Sequence, residues 1–129
     1  MSIERIFPPH APTPRGAYSP AVRAGDFIFV SGQGPIDPLT DKLSPGDVQH
    51  QTRLTLSNLQ RILESCGATL ADVVKCSVFL LDAGEFKAMN QVYTEFFPAE
   101  RPARTTVEAK FHDAEMRVEI DCIAYKPRP

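Results

Sequence analysis

The 129-residue sequence predicts an α+β fold in which two helices cover one face of a mixed six-stranded sheet, in the order βββαβαββ. Two segments, 48–66 and 86–97, repeat apolar residues at helical spacing. Between and around them lie short runs rich in β-branched and aromatic residues, bounded by glycine and proline. The hydrophobic content of 43% is that of a globular chain with one core, so residues 1–129 read as a single domain.

The elements follow in order. Ile3 to Ile6 reads as a short edge strand, and the proline-rich stretch from Pro8 to Pro14 as an extended surface loop. Ala21-Val22-Arg23 and Phe27 to Val30 flank Ala24-Gly25-Asp26, which predicts a hairpin. Ser44-Pro45-Gly46-Asp47 predicts the first helix start, with Ser44 as cap and Asp47 near the positive end of the dipole. Val48, Thr52, Leu56, Leu59, Ile62, Leu63 and Cys66 then recur until Gly67 stops the helix. Val73 to Leu81 is a strand by length and β-branched content. Asp82-Ala83-Gly84-Glu85 has the capping-box pattern and opens a second helix that carries Phe86, Met89, Tyr93 and Phe96 and ends at Pro98. Arg104 to Ala109 and Met116 to Tyr125 complete the sheet. In the last strand Val118, Ile120, Cys122 and Ala124 point one way, and Arg117, Glu119 and Asp121 the other.

Two helices cover only one face, yet Phe27 to Val30 and Val73 to Leu81 are apolar on both. A second copy of the chain is the expected cover, so a homo-oligomer is predicted.

Composition excludes several function classes. The net charge is −2, with 14 basic residues scattered among 16 acidic ones, which argues against a nucleic-acid surface. No apolar run reaches the roughly 20 residues of a membrane span, and Met1 to Arg5 lacks a signal-peptide layout, so a cytosolic protein is expected. Cys66, Cys76 and Cys122 read as free buried thiols, and His10, His50 and His112 have no ligand spacing, so no metal is expected. No nucleophile elbow and no phosphate-binding glycine motif occurs.

Candidate chemistry gathers at three turns and one strand. Gly16-Ala17-Tyr18-Ser19-Pro20 places two hydroxyls before the first hairpin strand. Ser31-Gly32-Gln33-Gly34-Pro35 breaks a strand with glycines, so that a ligand can approach backbone N–H groups, although an ordinary strand-ending turn has the same pattern. Arg101-Pro102-Ala103-Arg104-Thr105-Thr106 presents a guanidinium at a strand start, suited to a carboxylate or to a surface ion pair. Glu119 lies between Val118 and Ile120, where a carboxylate either exchanges protons or faces solvent.

These segments, in this order, resemble the Rid family of reactive intermediate deaminases, also called YjgF-like or L-PSP proteins. The resemblance runs through Gly16-Ala17-Tyr18-Ser19, Ser31-Gly32-Gln33, Gln51-Thr52, Asn58-Leu59, Asn90 with Tyr93-Phe96-Phe97-Pro98, Arg101 to Glu108, and Val118-Glu119-Ile120. It implies a chorismate-mutase-like homotrimer with a central β-barrel and clefts between subunits. It also implies hydrolysis of enamines and imines such as 2-aminoacrylate to 2-keto acids and ammonia, without a cofactor. On the same resemblance Arg104 binds the substrate carboxylate, Glu119 positions water or relays a proton, and Tyr18, Ser31, Gly32, Asn90 and Thr106 line the cleft. The chain departs at Thr106, where relatives often have Cys, at Ala17, where many have Pro, and at Gly34, where many have a larger apolar residue. The alternatives are a module that senses a small carboxylate without turnover and an RNA-directed activity. Glu119→Gln separates the first two, since it lowers turnover but leaves carboxylate binding.

Overall fold

The computed structural model describes residues 2–129. Strands β1 (Ile3–Ile6), β2 (Ala21–Ala24), β3 (Phe27–Gln33), β6 (Val73–Leu80), β7 (Ala103–Glu108) and β8 (Val118–Tyr125) form one mixed sheet. Its order is β1-β2-β3-β8-β6-β7. Only β6 and β7 pair in parallel, the other ladders being antiparallel. Helices α1 (Val48–Ser65) and α2 (Phe86–Phe96) pack on one face, as the sequence predicts.

A further hairpin, β4 (Ile36–Asp37) and β5 (Lys42–Leu43), forms a separate two-stranded ribbon that the sequence reading did not resolve. Its tip is turned by Asp41 at φ 62°, a left-handed conformation that Asp tolerates better than most residues. Two strands this short leave no alternating pattern to read.

Helix α1 begins at Asp47, not at Ser44. The Asp47 side chain accepts from His50 N at 2.8 Å, while Ser44 N is committed to Pro35 O and its hydroxyl meets His50 Nε2 at 2.8 Å. The helix ends as predicted: Gly67 at φ 80° lets its N–H reach Glu64 O and the Ala68 N–H reach Leu63 O, satisfying two terminal carbonyls. Before α2 the capping box does not form. Asp82 bonds Gly84 N and caps a single 3-10 turn, and Glu85 bonds Arg117 instead of turning back to the helix.

The core lies between sheet and helices. Leu56, Leu59, Ile62 and Leu63 of α1 and Met89 and Tyr93 of α2 meet Ile28, Val30, Cys76, Val78, Leu80, Val118, Ile120 and Cys122. Alternation along each strand leaves the other face to Phe27, Phe29, Phe79, Ile123 and Val107. Phe27 and Phe29 are 43% and 44% exposed, so the apolar second face expected from the sequence is uncovered in the single chain.

Candidate functional site

The predicted residues fall into two clusters. Tyr18, Ser31, Gly32 and Glu119 line one cavity of about 380 Å3. Asn90, Arg104 and Thr106 belong to α2 and β7 and form the second.

The first cluster is built by the loop between β1 and β2, which lies against the end of β3. Ser31 N donates to Pro20 O at 3.0 Å and its hydroxyl to Ser19 O at 2.6 Å. Tyr18 is held by its hydroxyl, which accepts from Arg15 N at 3.1 Å. Contrary to a strand that ends at Val30, β3 continues to Gln33 through an irregular register between Val30 and Gln33. That irregularity brings Gly32 beneath Glu119. A Cβ at residue 32 would overlap Glu119 Oε2 and stand 2.8 Å from its Cδ, so the bare glycine makes the space the carboxylate occupies.

Glu119 is half-buried on β8. Burial pushes its carboxyl above the usual glutamate range, and the nearby Asp121 charge adds to this, with His112 acting in the opposite direction. The raised proton affinity suits Glu119 to accept and return a proton.

In the second cluster Arg104 Nη1 donates to Asn90 Oδ1 at 2.8 Å, its one acceptor among the described residues. The guanidinium carbon lies 4.6 Å from the Tyr93 ring centre and 5.4 Å from that of Phe86. Two aromatic faces and one amide fix the plane of the fork and leave donors for an anion. Thr106 stands two residues along β7, and its hydroxyl is buried without a hydrogen-bond partner. Arg101, the other arginine of this segment, closes the end of α2 by donating to Phe97 O at 2.8 Å.

The clusters lie on opposite faces of the sheet. Arg104 is in register with Cys76, on the helix side, whereas Glu119 is in register with Phe79, on the uncovered side. One chain therefore does not bring them together.

Two polar residues that the sequence reading did not single out as site builders support the first cluster. Gln51 and Asn58, both fully buried on α1, reach out of the helix to loop backbone. Gln51 accepts from Arg117 N at 2.7 Å and donates to Glu115 O at 2.8 Å, and Asn58 donates to Gly34 O and Ile36 O at 3.1 and 2.8 Å. Their signal was present, since both interrupt the apolar stripe of α1 where a purely structural helix would carry leucine.

Burial pushes the Cys66, Cys76 and Cys122 thiols up from their ordinary values, which opposes a thiolate nucleophile. All three are free, Cys76 and Cys122 buried and Cys66 only partly so. Among the described residues no three His, Cys, Asp or Glu side chains gather to hold a metal ion, and no helix is long and apolar enough to cross a membrane.

The family model described as Endoribonuclease L-PSP matches residues 8–126. The chain belongs to this family. Within the L-PSP family it is 46% identical over 126 residues to a RutC family protein of Pyrococcus abyssi, covering 98% of this chain and 99% of that one. It is 38% identical over 125 residues to the 3-aminoacrylate deaminase RutC of Acinetobacter baylyi, covering 97% and 99%. The crystal structure of E. coli TdcF with bound serine superposes with a TM-score of 0.88 at 35% identity, covering 95% of this chain and 98% of TdcF. L-PSP proteins thus share its two helices on a mixed six-stranded sheet, and the family includes a deaminase.

Proposed function

We propose that this protein hydrolyses 2-imino and 2-enamino acids of the 2-aminoacrylate type to 2-keto acids and ammonia. The observation that carries this reading is Arg104, an oriented guanidinium with donors left over, together with Glu119, a carboxylate of raised proton affinity. Their placement on opposite faces of one sheet adds that the working site joins Arg104 of one copy to Glu119 of another. The uncovered apolar face supports the same assembly, and we assign it as a homotrimer.

The chemistry needs little else. Arg104 grips the carboxylate in two-pronged fashion and fixes the imine carbon. Water, oriented and deprotonated by Glu119, adds to that carbon to give a carbinolamine. Glu119 returns that proton to the nitrogen, then takes the hydroxyl proton of the carbinolamine and passes it to the amino group as the C–N bond breaks, so that ammonia leaves and the carbonyl of the keto acid remains. Tyr18, Ser31 and Gly32 line the space around the reacting atoms, while Asn90 and Thr106 border the carboxylate end. The identity of 38% to a 3-aminoacrylate deaminase, whose substrate is also a carboxylate-bearing enamine by name, supports the reading. An RNA-directed activity, which the family's description names, has less support from a net charge of −2 with dispersed basic residues.

The test is ammonia and keto-acid release from imines generated in place by an amino-acid oxidase. Wild type should accelerate release, and Arg104→Ala should lower the acceleration at least tenfold, the size of a lost charged hydrogen bond. No acceleration by folded wild type would replace this reading with carboxylate sensing.

A further inference from the structure

The cavity that holds Glu119 extends past every group the proposed reaction uses. It runs on between Pro12, Pro14, Ile36, Leu43 and Met116, all apolar. Its volume of about 380 Å3 is in the range that encloses molecules much larger than an imino acid with a methyl side chain. The walls are held on two sides. Thr13 N donates to Asp41 Oδ1 and Arg15 Nη2 to Asp41 O, both at 2.9 Å, which ties the proline-rich loop to the β4–β5 hairpin. Across the cavity, Asn58 holds the carbonyls of Gly34 and Ile36.

The remaining side depends on a pair of residues. A Cβ at Gly34 would stand 2.7 Å from Met116 Cε and 3.2 Å from its Sδ, so the thioether rests directly against bare backbone. A side chain at residue 34 would drive Met116 into the cavity and shorten it. Gly34 has no left-handed backbone to explain its presence; the close approach of Met116 does. Methionine is also the apolar side chain best able to fit around ligands of different shape. Arg15, Asp113 and Glu119, with the polar Thr13, Gln33 and His112, line the rest of the cavity.

Resting on the deaminase reading of the same site, we propose that this groove selects 2-imino acids with an extended apolar side chain of leucine or methionine size, and that Gly34 and Met116 set the length it accepts. With the carboxylate on Arg104 of a second copy and the imine carbon at Glu119, the side chain passes over Gly34 into the groove.

Imines generated from alanine, leucine and methionine supply the test, read as kcat/KM for keto-acid release. Wild type should favour the leucine- and methionine-derived imines over the alanine-derived one by about tenfold or more, the increment expected from several buried methylenes. Gly34→Ala should lower the leucine-to-alanine ratio severalfold. Met116→Phe fills the same space while leaving residue 34 itself unchanged and should lower the ratio too. In parallel, the rise in Tm with pyruvate and with 4-methyl-2-oxopentanoate at equal concentration reads the groove without turnover, and the longer acid should give the larger rise. A wild-type ratio near one or favouring alanine, or equal Tm shifts for the two keto acids, would overturn the proposal. Absent turnover with a larger shift from the longer acid would remove the deaminase reading and leave the groove preference standing.

Discussion

Glu119 owes its proton affinity to a glycine. Because Gly32 carries no side chain, the carboxylate is drawn down against β3 and loses part of its water, which raises its pKa in the folded state above that in the unfolded chain. Folding then disfavours the ionised form. This penalty is absent below about pH 4, grows as pH rises from the unfolded toward the folded pKa, and is complete above the latter. Glu119→Gln should therefore raise Tm relative to wild type at neutral pH, with the gain disappearing in acid, while turnover of imines falls. A Tm difference that stays constant with pH would show that Glu119 is solvated as an ordinary glutamate. Arg104 shows the same economy of means, for its direction is set by Asn90 and two aromatic rings. Lysine there would retain the charge and lose the planar fork.

At the scale of elements, helix α1 does two jobs with one face. Its leucines and isoleucine seal the core, and Gln51 and Asn58 on the same side hold the backbone on which the cavity is built. Asn58→Leu leaves the Gly34 and Ile36 carbonyls without their buried donor. It should lower stability by about 2–3 kcal/mol in urea denaturation with an unchanged m-value, and loosen the wall at Gly34. A loss below about 0.5 kcal/mol would mean that water replaces the amide. The main strands and both helices were legible in the sequence because each repeats one period over enough residues to be unambiguous. The helix starts were less so. Ser44 and Asp47 are both competent caps, and what decides between them is the bond from Ser44 N to Pro35, a contact between segments nine residues apart that no local pattern records. Glu85 failed its capping box for the same kind of reason, since Arg117, just before β8, offers it a charged partner at 2.8 Å. The candidate residues Tyr18, Ser31, Gly32 and Glu119 could be named from turn chemistry and resemblance, but their separation from Arg104 by the thickness of a sheet came only with the registers of β6, β7 and β8.

For the whole molecule, the uncovered face is an exposed apolar surface, and it carries the aromatic pair Phe27 and Tyr125 with ring centres 5.2 Å apart. Phe29→Asp should leave the helix-covered core intact, since Phe29 lies outside it, while a second copy could no longer cover the face. The expected result is wild type sedimenting as a trimer at micromolar concentration, the variant as a monomer, and turnover lost with assembly. Wild type sedimenting only as a monomer would sink the assembly.

The order of the sheet sets when the molecule can exist at all. Strand β8, the last to be synthesised, lies between β3 and β6 and pairs with both. Until residues 118–125 have left the ribosome, the nascent chain holds two unconnected ribbons, β1-β2-β3 on one side and β6 with β7 on the other, each with an edge open to foreign strands. Closure of the sheet is thereby deferred until residues 118–125 are available, and in the interval before it both open edges can pair with foreign strands.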